Sequence, residues 1–161
     1  MEESAISDPV LHRAALNEPV VNTYQVDVMW GDCDPAGIVH YPNYFIWMDE
    51  ASHYLFSGVG LGWTSLQENF GVPGAPLVNA QADFRSPAKF GDQLTIRSYV
   101  SRCGTKSLTV THEILAGERL VAEGRESRVW VKADPEDPAK LTPHPIPDVV
   151  REALGVAGGP V

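Results

Sequence analysis

Residues 31–44 read GDCDPAGIVHYPNY and bring two acids, a cysteine, a histidine and a Tyr-Pro step into one short stretch. Asp34-Pro35-Ala36-Gly37 has the preferences of a type I turn, with Asp first, Pro second and Gly fourth. Turn chemistry accounts for Asp34 but not for Asp32, nor for the Tyr41-Pro42 step into an amphipathic segment. A helix N-terminus carries unpaired N–H donors and a partial positive charge. Such donors can hold the oxyanion of an acyl-transfer intermediate. A carboxylate delivered beside them by a turn could attack a carbonyl or activate water.

Other chemistries compete for the same residues. Cys33 and His40 could form a nucleophile–base pair, but two flanking acids disfavour the thiolate that a nucleophilic cysteine needs. Asp32 and Asp34 as Mg²⁺ ligands would require further oxygen ligands that the sequence does not offer nearby. No CxxC or HExxH spacing marks a metal site, so no metal is expected. Asp32 reads as a turn or cap hydrogen-bonder. His53 and His112 fall inside regular elements and read as structural, and Trp47 and Met48 read as core.

The elements that must position this stretch follow from periodicity. Residues 22–30, NTYQVDVMW, alternate with Tyr24, Val26, Val28 and Trp30 on one face, as a half-buried strand does. Tyr44, Trp47, Met48, Ala51 and Leu55 form one stripe of a long helix. Pro42 suits its first turn and Gly58 its end. Residues 64–70 suit a short helix capped by Thr64 with Gln67 three residues on. Strand patterns follow over APLVNAQADF, QLTIRSYVSR, SLTVTHEIL and LVAEGRESRVWVKA, with Gly124 expected at a bulge or bend. A short helix is expected over 147–154. One strand, one long helix and four strands on short connections argue an α+β fold, a mostly antiparallel sheet against one helix. The organisation expected is a loose N-terminal arm over 1–19, one domain over 20–154 and a tail over 155–161.

Composition bounds the function. The 161 residues are 43% apolar and 20% charged, ordinary for a globular domain. The early acids predict no secretory leader in these residues, no apolar run reaches membrane-spanning length, and two cysteines make no disulfide framework. A cytoplasmic protein with no membrane partner is expected. The net charge of -9 disfavours nucleic acid as a partner. Between Ala14 and Phe84 there is no Lys or Arg, whereas Arg85 to Lys132 holds nine basic residues against five acids. A phosphate-bearing ligand would therefore be held by the second half, though on charge alone solvated strand faces are the simpler reading.

GDCDPAGIVxYPNY, followed by a helix carrying Trp, Asp and Ala-Ser, resembles the 4-hydroxybenzoyl-CoA thioesterases of the hot-dog superfamily, in the aspartate-dependent Pseudomonas-type group. The resemblance continues through GAPLV, ADFRSPAKFGDQLTI and KSLTVTHEI, covering roughly residues 20–133. It implies a long central helix wrapped by an antiparallel sheet of about five strands, with active sites at the interface of a homodimer and dimers pairing into homotetramers. It implies hydrolysis of an aromatic acyl-CoA, with 4-hydroxybenzoyl-CoA the first substrate and aromatic degradation the setting. No cofactor is implied, since CoA is part of the substrate.

By the same resemblance Asp34 is the catalytic carboxylate, as nucleophile or general base, and the Tyr41 backbone N–H polarises the thioester carbonyl. Asp49 matches the residue that meets the 4-hydroxyl of the acyl group. Gly74 and Ala75 stand in the acyl region, Ala75 where a Thr is found. His40 replaces a Trp near the carbonyl. Lys106 keeps the register of the CoA-binding turn, with Arg102 and Arg128 on nearby strands as further sources of charge. The alternatives are a hot-dog thioesterase acting on benzoyl-, aminobenzoyl-, dihydroxynaphthoyl- or short aliphatic acyl-CoA, and a non-catalytic acyl-CoA-binding protein. A retained Asp34 disfavours the last. A hot-dog dehydratase is disfavoured because its His-centred motif is not recognisable.

Overall fold

The structure, a computed structural model, describes residues 18–157; the expected arm over 1–19 lies outside these up to residue 17, and the tail from residue 158. The elements are β1 (Asn22–Asp27), α1 (Pro42–Gly58), α2 (Trp63–Phe70), β2 (Leu77–Phe84), β3 (Gln93–Cys103), β4 (Ser107–Ala116), β5 (Arg119–Val129), β6 (Val131–Ala133), β7 (Leu141–Pro143) and α3 (Asp148–Ala153). Strands β1 to β5 form one antiparallel sheet in the order β1-β3-β4-β5-β2, while β6 and β7 pair separately. The long helix α1 packs across this sheet, giving the α+β hot-dog arrangement expected from the sequence. No helix among the described residues is long and apolar enough to cross a membrane.

Helix α1 forms where the stripe lies. Tyr44, Trp47, Met48, Ala51 and Leu55 are all buried, and Ser52 is buried with them. Pro42 occupies the first turn, where its missing N–H leaves no bond unmade. Facing the stripe, β3, β4 and β5 each bury alternate residues. One apolar cluster gathers Val28, Tyr44, Met48, Leu94, Ile96 and Ile114. A second gathers Leu55, Val100, Leu108, Trp130, Val150 and Leu154. Full burial of each large apolar side chain stabilises the fold by roughly 1.5–3 kcal/mol relative to exposure.

Four local expectations need correction. Strand β1 stops at Asp27, because the Asp32 carboxylate takes the Met29 N–H at 2.8 Å and winds residues 30–32 into a 3₁₀ turn. Trp30 is therefore 76% exposed, its ring edge-on to Phe90. Helix α2 begins one residue before Thr64, with Gly62 at its N-cap and no side-chain cap. Gly124 sits in regular register with His112 and Ala82; the bulges fall instead at Leu77/Asn79, Val100/Arg102 and Ile114/Leu115. The last long strand pattern breaks at Trp130, whose N–H donates to the Lys106 carbonyl, so β5 and β6 are separate.

Candidate active site

The turn expected at residues 34–37 is present and closed three ways. The Gly37 N–H donates to the Asp34 carbonyl at 2.9 Å, the Ala36 N–H to Asp34 Oδ1 at 2.8 Å, and the Asp34 N–H to the Ile38 carbonyl at 2.8 Å. Gly37 has φ 79°, a backbone state that disfavours a side chain. The Asp34 side chain is thus locked by its own turn, while Oδ2 has no protein donor among the described residues.

Asp32 braces this turn against the helix. Its carbonyl accepts the His40 N–H at 2.8 Å and Asn43 Nδ2 at 2.9 Å. With its carboxylate on Met29, its polar atoms serve the local backbone. Tyr41 is the N-cap of α1, and its N–H makes no hydrogen bond among the described residues. Pro42 has no N–H to compete with it. Asp34, Tyr41, Ile38, Tyr44 and Phe84 share a cleft of about 470 Å³. One cleft is therefore lined by a residue with a free carboxylate oxygen, a residue with a free helix-start N–H and an apolar wall, the combination acyl transfer needs.

Asp49 lies farther along α1, roughly 10 Å from Pro42 by helical rise. Its Oδ1 accepts Arg128 Nη2 at 2.6 Å, and its Oδ2 lies 3.7 Å from His53 Nε2. Arg128 is buried on β5 and also donates to Glu126 Oε2, from Nη2 at 2.9 Å and from Nε at 3.2 Å. Ser52 Oγ donates to the same oxygen at 2.6 Å, and His112 Nε2 stands 3.5 Å from it. Burial alone would push the Glu126 carboxyl up; the His112 ring, the Ser52 hydroxyl and the Arg128 charge outweigh it and bring it down to about 2.

Gly74, Ala75 and Arg128 line a second cavity of about 270 Å³ with Trp63 and Trp130, and His53 stands at it too. The Ala75 carbonyl accepts Arg128 Nη1 at 3.4 Å. One chain therefore divides the sequence-derived candidates. Asp34 and Tyr41 face one cavity, Gly74, Ala75 and Arg128 line another, and Asp49 joins the second group through Arg128. His40 is exposed, edge-on to Tyr41 at 5.6 Å, and lines neither cavity. Arg102 and Lys106 are exposed at the β3–β4 connection. Arg128 departs from the expectation of a nucleotide-facing charge: its guanidinium is buried and committed to two carboxylates and a carbonyl.

Sequence reasoning missed two groups. Glu126 shares the inward parity of Ala122, Gly124 and Arg128 on β5, so strand alternation could have marked it as a buried acid. Arg151 on α3 donates to the Gly104 carbonyl at 2.6 Å and the Thr105 carbonyl at 3.3 Å, clasping the turn that carries Lys106. No local pattern announces that contact.

The sequence profile of the Thioesterase-like superfamily matches residues 28–154. The 4-hydroxybenzoyl-CoA thioesterase of Pseudomonas sp. (strain CBS-3) is 37% identical over 120 residues, covering 71% of this chain and 85% of that enzyme. A 1,4-dihydroxy-2-naphthoyl-CoA hydrolase of Prochlorococcus marinus subsp. pastoris is 28% identical over 129 residues, covering 71% of this chain and 79% of that one. The solved structure of the Pseudomonas enzyme superposes with a TM-score of 0.73 at 34% identity, covering 83% of this chain and 98% of that chain. A gentisyl-coenzyme A thioesterase superposes with a TM-score of 0.68 at 36% identity and the same coverage.

Proposed function

Because the chain belongs to the Thioesterase-like superfamily, we propose that it hydrolyses an aromatic acyl-CoA to the free acid and CoA, with 4-hydroxybenzoyl-CoA as first substrate. The observation that carries this reading is that Asp34, with Oδ2 unspent, and Tyr41, with its N–H unspent, line one cleft. The Tyr41 N–H polarises the thioester carbonyl. Asp34 attacks it, expelling the CoA thiolate and leaving an acyl-aspartyl anhydride that water opens, or it takes the proton of an attacking water. A thiolate is a good leaving group, so neither route needs a Ser-His-Asp triad. Single turnover in ¹⁸O water separates the routes, since label in the Asp34 carboxylate marks an anhydride.

The functional unit in this reading is a homodimer, with dimers pairing into tetramers. Strand β2 ends the sheet with one hydrogen-bonded neighbour among the described residues, and it exposes Leu77, Val78 and Phe84. Phe84 also walls the Asp34 cleft. Joining two β2 edges would continue the sheet and bring a second copy against that cleft. A partner's acyl-recognition group could then complete a site that one chain holds in two pieces. Lys106 and Arg102, exposed on their hairpin, suit the CoA phosphates, and a CoA ester substrate suits a cytoplasmic location.

Asp49 is the candidate acceptor for a ring hydroxyl. Its pairing with Arg128 favours a second reading of the acyl group alone, in which another hydroxylated aromatic acid is preferred, as the dihydroxynaphthoyl- and gentisyl-CoA relatives suggest. The test is thiol release from a panel of aromatic and aliphatic acyl-CoAs, with the wild type and Asp34→Asn. The Asn side chain retains the Oδ1 acceptor for Ala36, so the turn should persist. A loss of turnover of at least about a hundredfold is expected; near-normal turnover would sink the assignment.

A further inference from the structure

The centre of the sheet face beneath α1 is polar. Ser98, His112 and Gly124 occupy one row of the ladder across β3, β4 and β5. Glu126 stands two residues along β5, and Ser52 reaches it from the helix. Ser52, Ser98, His112 and Glu126 are each no more than 1% exposed. Burying a carboxylate is costly unless charge and hydrogen bonds compensate it, so the arrangement calls for a reason beyond packing.

The contacts form one continuous series. Ser98 Oγ lies 2.8 Å from His112 Nδ1, and His112 Nε2 lies 3.5 Å from Glu126 Oε2. Ser52 and two nitrogens of Arg128 meet that same oxygen. Arg128 Nη2, held from behind by Glu126, then reaches Asp49 Oδ1 at 2.6 Å. Its Nη1 meets the Ala75 carbonyl of the second cavity. Arg128 thus joins the helix, the 74–76 loop and β5, and the buried groups fix its orientation. The outermost member, Asp49, has a half-exposed side chain.

We propose that Glu126, supported by Ser52 and His112, is a positioning residue that sets Asp49 as a hydroxyl acceptor through Arg128, and so governs selection for hydroxylated acyl groups without touching them. Two effects combine. Glu126 fixes the guanidinium, so Asp49 Oδ1 is pinned and Oδ2 keeps one orientation; an exposed Asp–Arg pair alone would hold neither well. Glu126 also divides the single Arg128 charge between two carboxylates, so Asp49 is not fully neutralised and stays a strong acceptor. The proposal rests on the reading of Asp49 as the group that meets the acyl hydroxyl.

The test compares kcat/KM for 4-hydroxybenzoyl-CoA and benzoyl-CoA in the wild type, Glu126→Gln, Ser52→Ala, Asp49→Asn and the Glu126→Gln/Asp49→Asn double variant. Glu126→Gln should lower the ratio of the two about tenfold, with benzoyl-CoA turnover changed no more than about threefold. Ser52→Ala keeps the buried carboxylate, removes one donor to it and should lower the ratio by about two- to fivefold, which serves if Glu126→Gln folds poorly. In the Asp49→Asn background the Glu126 change should have no further effect on the ratio. An equal fall for both substrates, with the ratio intact in Glu126→Gln and Ser52→Ala, would mean a structural role only and overturn the proposal. A ratio untouched by Asp49→Asn would remove the reading of Asp49 and the proposal with it. A ratio lost in Asp49→Asn but kept in both other variants would remove the proposal alone.

Discussion

Gly124 on β5 lies directly beneath Met48 of α1, so close that a β-carbon at residue 124 would overlap the Met48 sulfur. Met48 is fully buried, so its side chain can yield only by displacing its packed neighbours. The missing side chain is what lets the helix settle onto the sheet at the row shared with Ser98 and His112. Gly124→Ala should therefore destabilise the protein by about 1–3 kcal/mol through overpacking. A lower urea midpoint with an unchanged m-value would show it. An unchanged midpoint would mean that the helix shifts freely at this crossing.

Glu126 makes stability depend on acid. Its folded carboxyl titrates at about 2, below its ordinary value of 4.5. In that interval the unfolded state binds the proton first, so stability rises with pH. The contribution is fully present above about pH 4.5 and is lost as pH falls through 2. Urea midpoints measured from pH 7 to pH 2.5 should fall steeply below pH 4.5 in the wild type. Glu126→Gln should start lower at pH 7, because Gln leaves Arg128 and Ser52 poorly compensated, and its acid limb should be shallower. Parallel acid limbs would assign the dependence to other carboxylates.

What could be read from the sequence was whatever neighbours in the chain decide. The α1 stripe survives intact because 3.6-residue periodicity is local and five apolar residues obey it. The Asp34 turn survives because Asp, Pro and Gly each favour it at their own positions. Alternation over residues 22–30 overstates β1 because it cannot sense Asp32 reaching back to Met29. Thr64 carries the cap signature, yet Gly62 is the N-cap, in extended backbone, and the helix begins at Trp63. The Ser98–His112–Glu126–Arg128–Asp49 series was illegible as a unit: it needs the β3–β4–β5 register and the crossing of α1, which only tertiary structure supplies.

Arg151 holds the Gly104–Lys106 turn from the far end of the chain. Its Nη2 takes two carbonyls of that turn and its Nε the Ile146 carbonyl at 3.2 Å, while the Ile146 N–H donates back to the Thr105 carbonyl at 2.8 Å. If Lys106 meets a CoA phosphate, Lys106→Ala should raise KM for acyl-CoA about tenfold at low salt with kcat little changed, and the difference should shrink as salt rises. Arg151→Ala should reproduce part of the KM effect by loosening the turn. Steady-state kinetics at two ionic strengths check both; a KM indifferent to Lys106 would move the nucleotide site elsewhere.

The β2 edge should decide both assembly and activity. Val78 is 63% exposed on a strand whose outer edge is unpaired among the described residues, beside Leu77, which is 46% exposed. An apolar edge of this kind invites a second strand, and a like strand related by twofold symmetry satisfies it without leaving a new edge. Val78→Asp would place two like charges near each other across such an interface. The single chain loses no buried contact by this change, so its thermal midpoint measured at low protein concentration should move little. Sedimentation analysis should find the wild type as a dimer or larger and the variant shifted toward monomer. Acyl-CoA turnover should fall with the dimer fraction and recover at high protein concentration, as a site divided between Asp34 of one copy and the acyl-recognition residues of another requires. A monomeric variant with full activity would show that one chain holds a complete site.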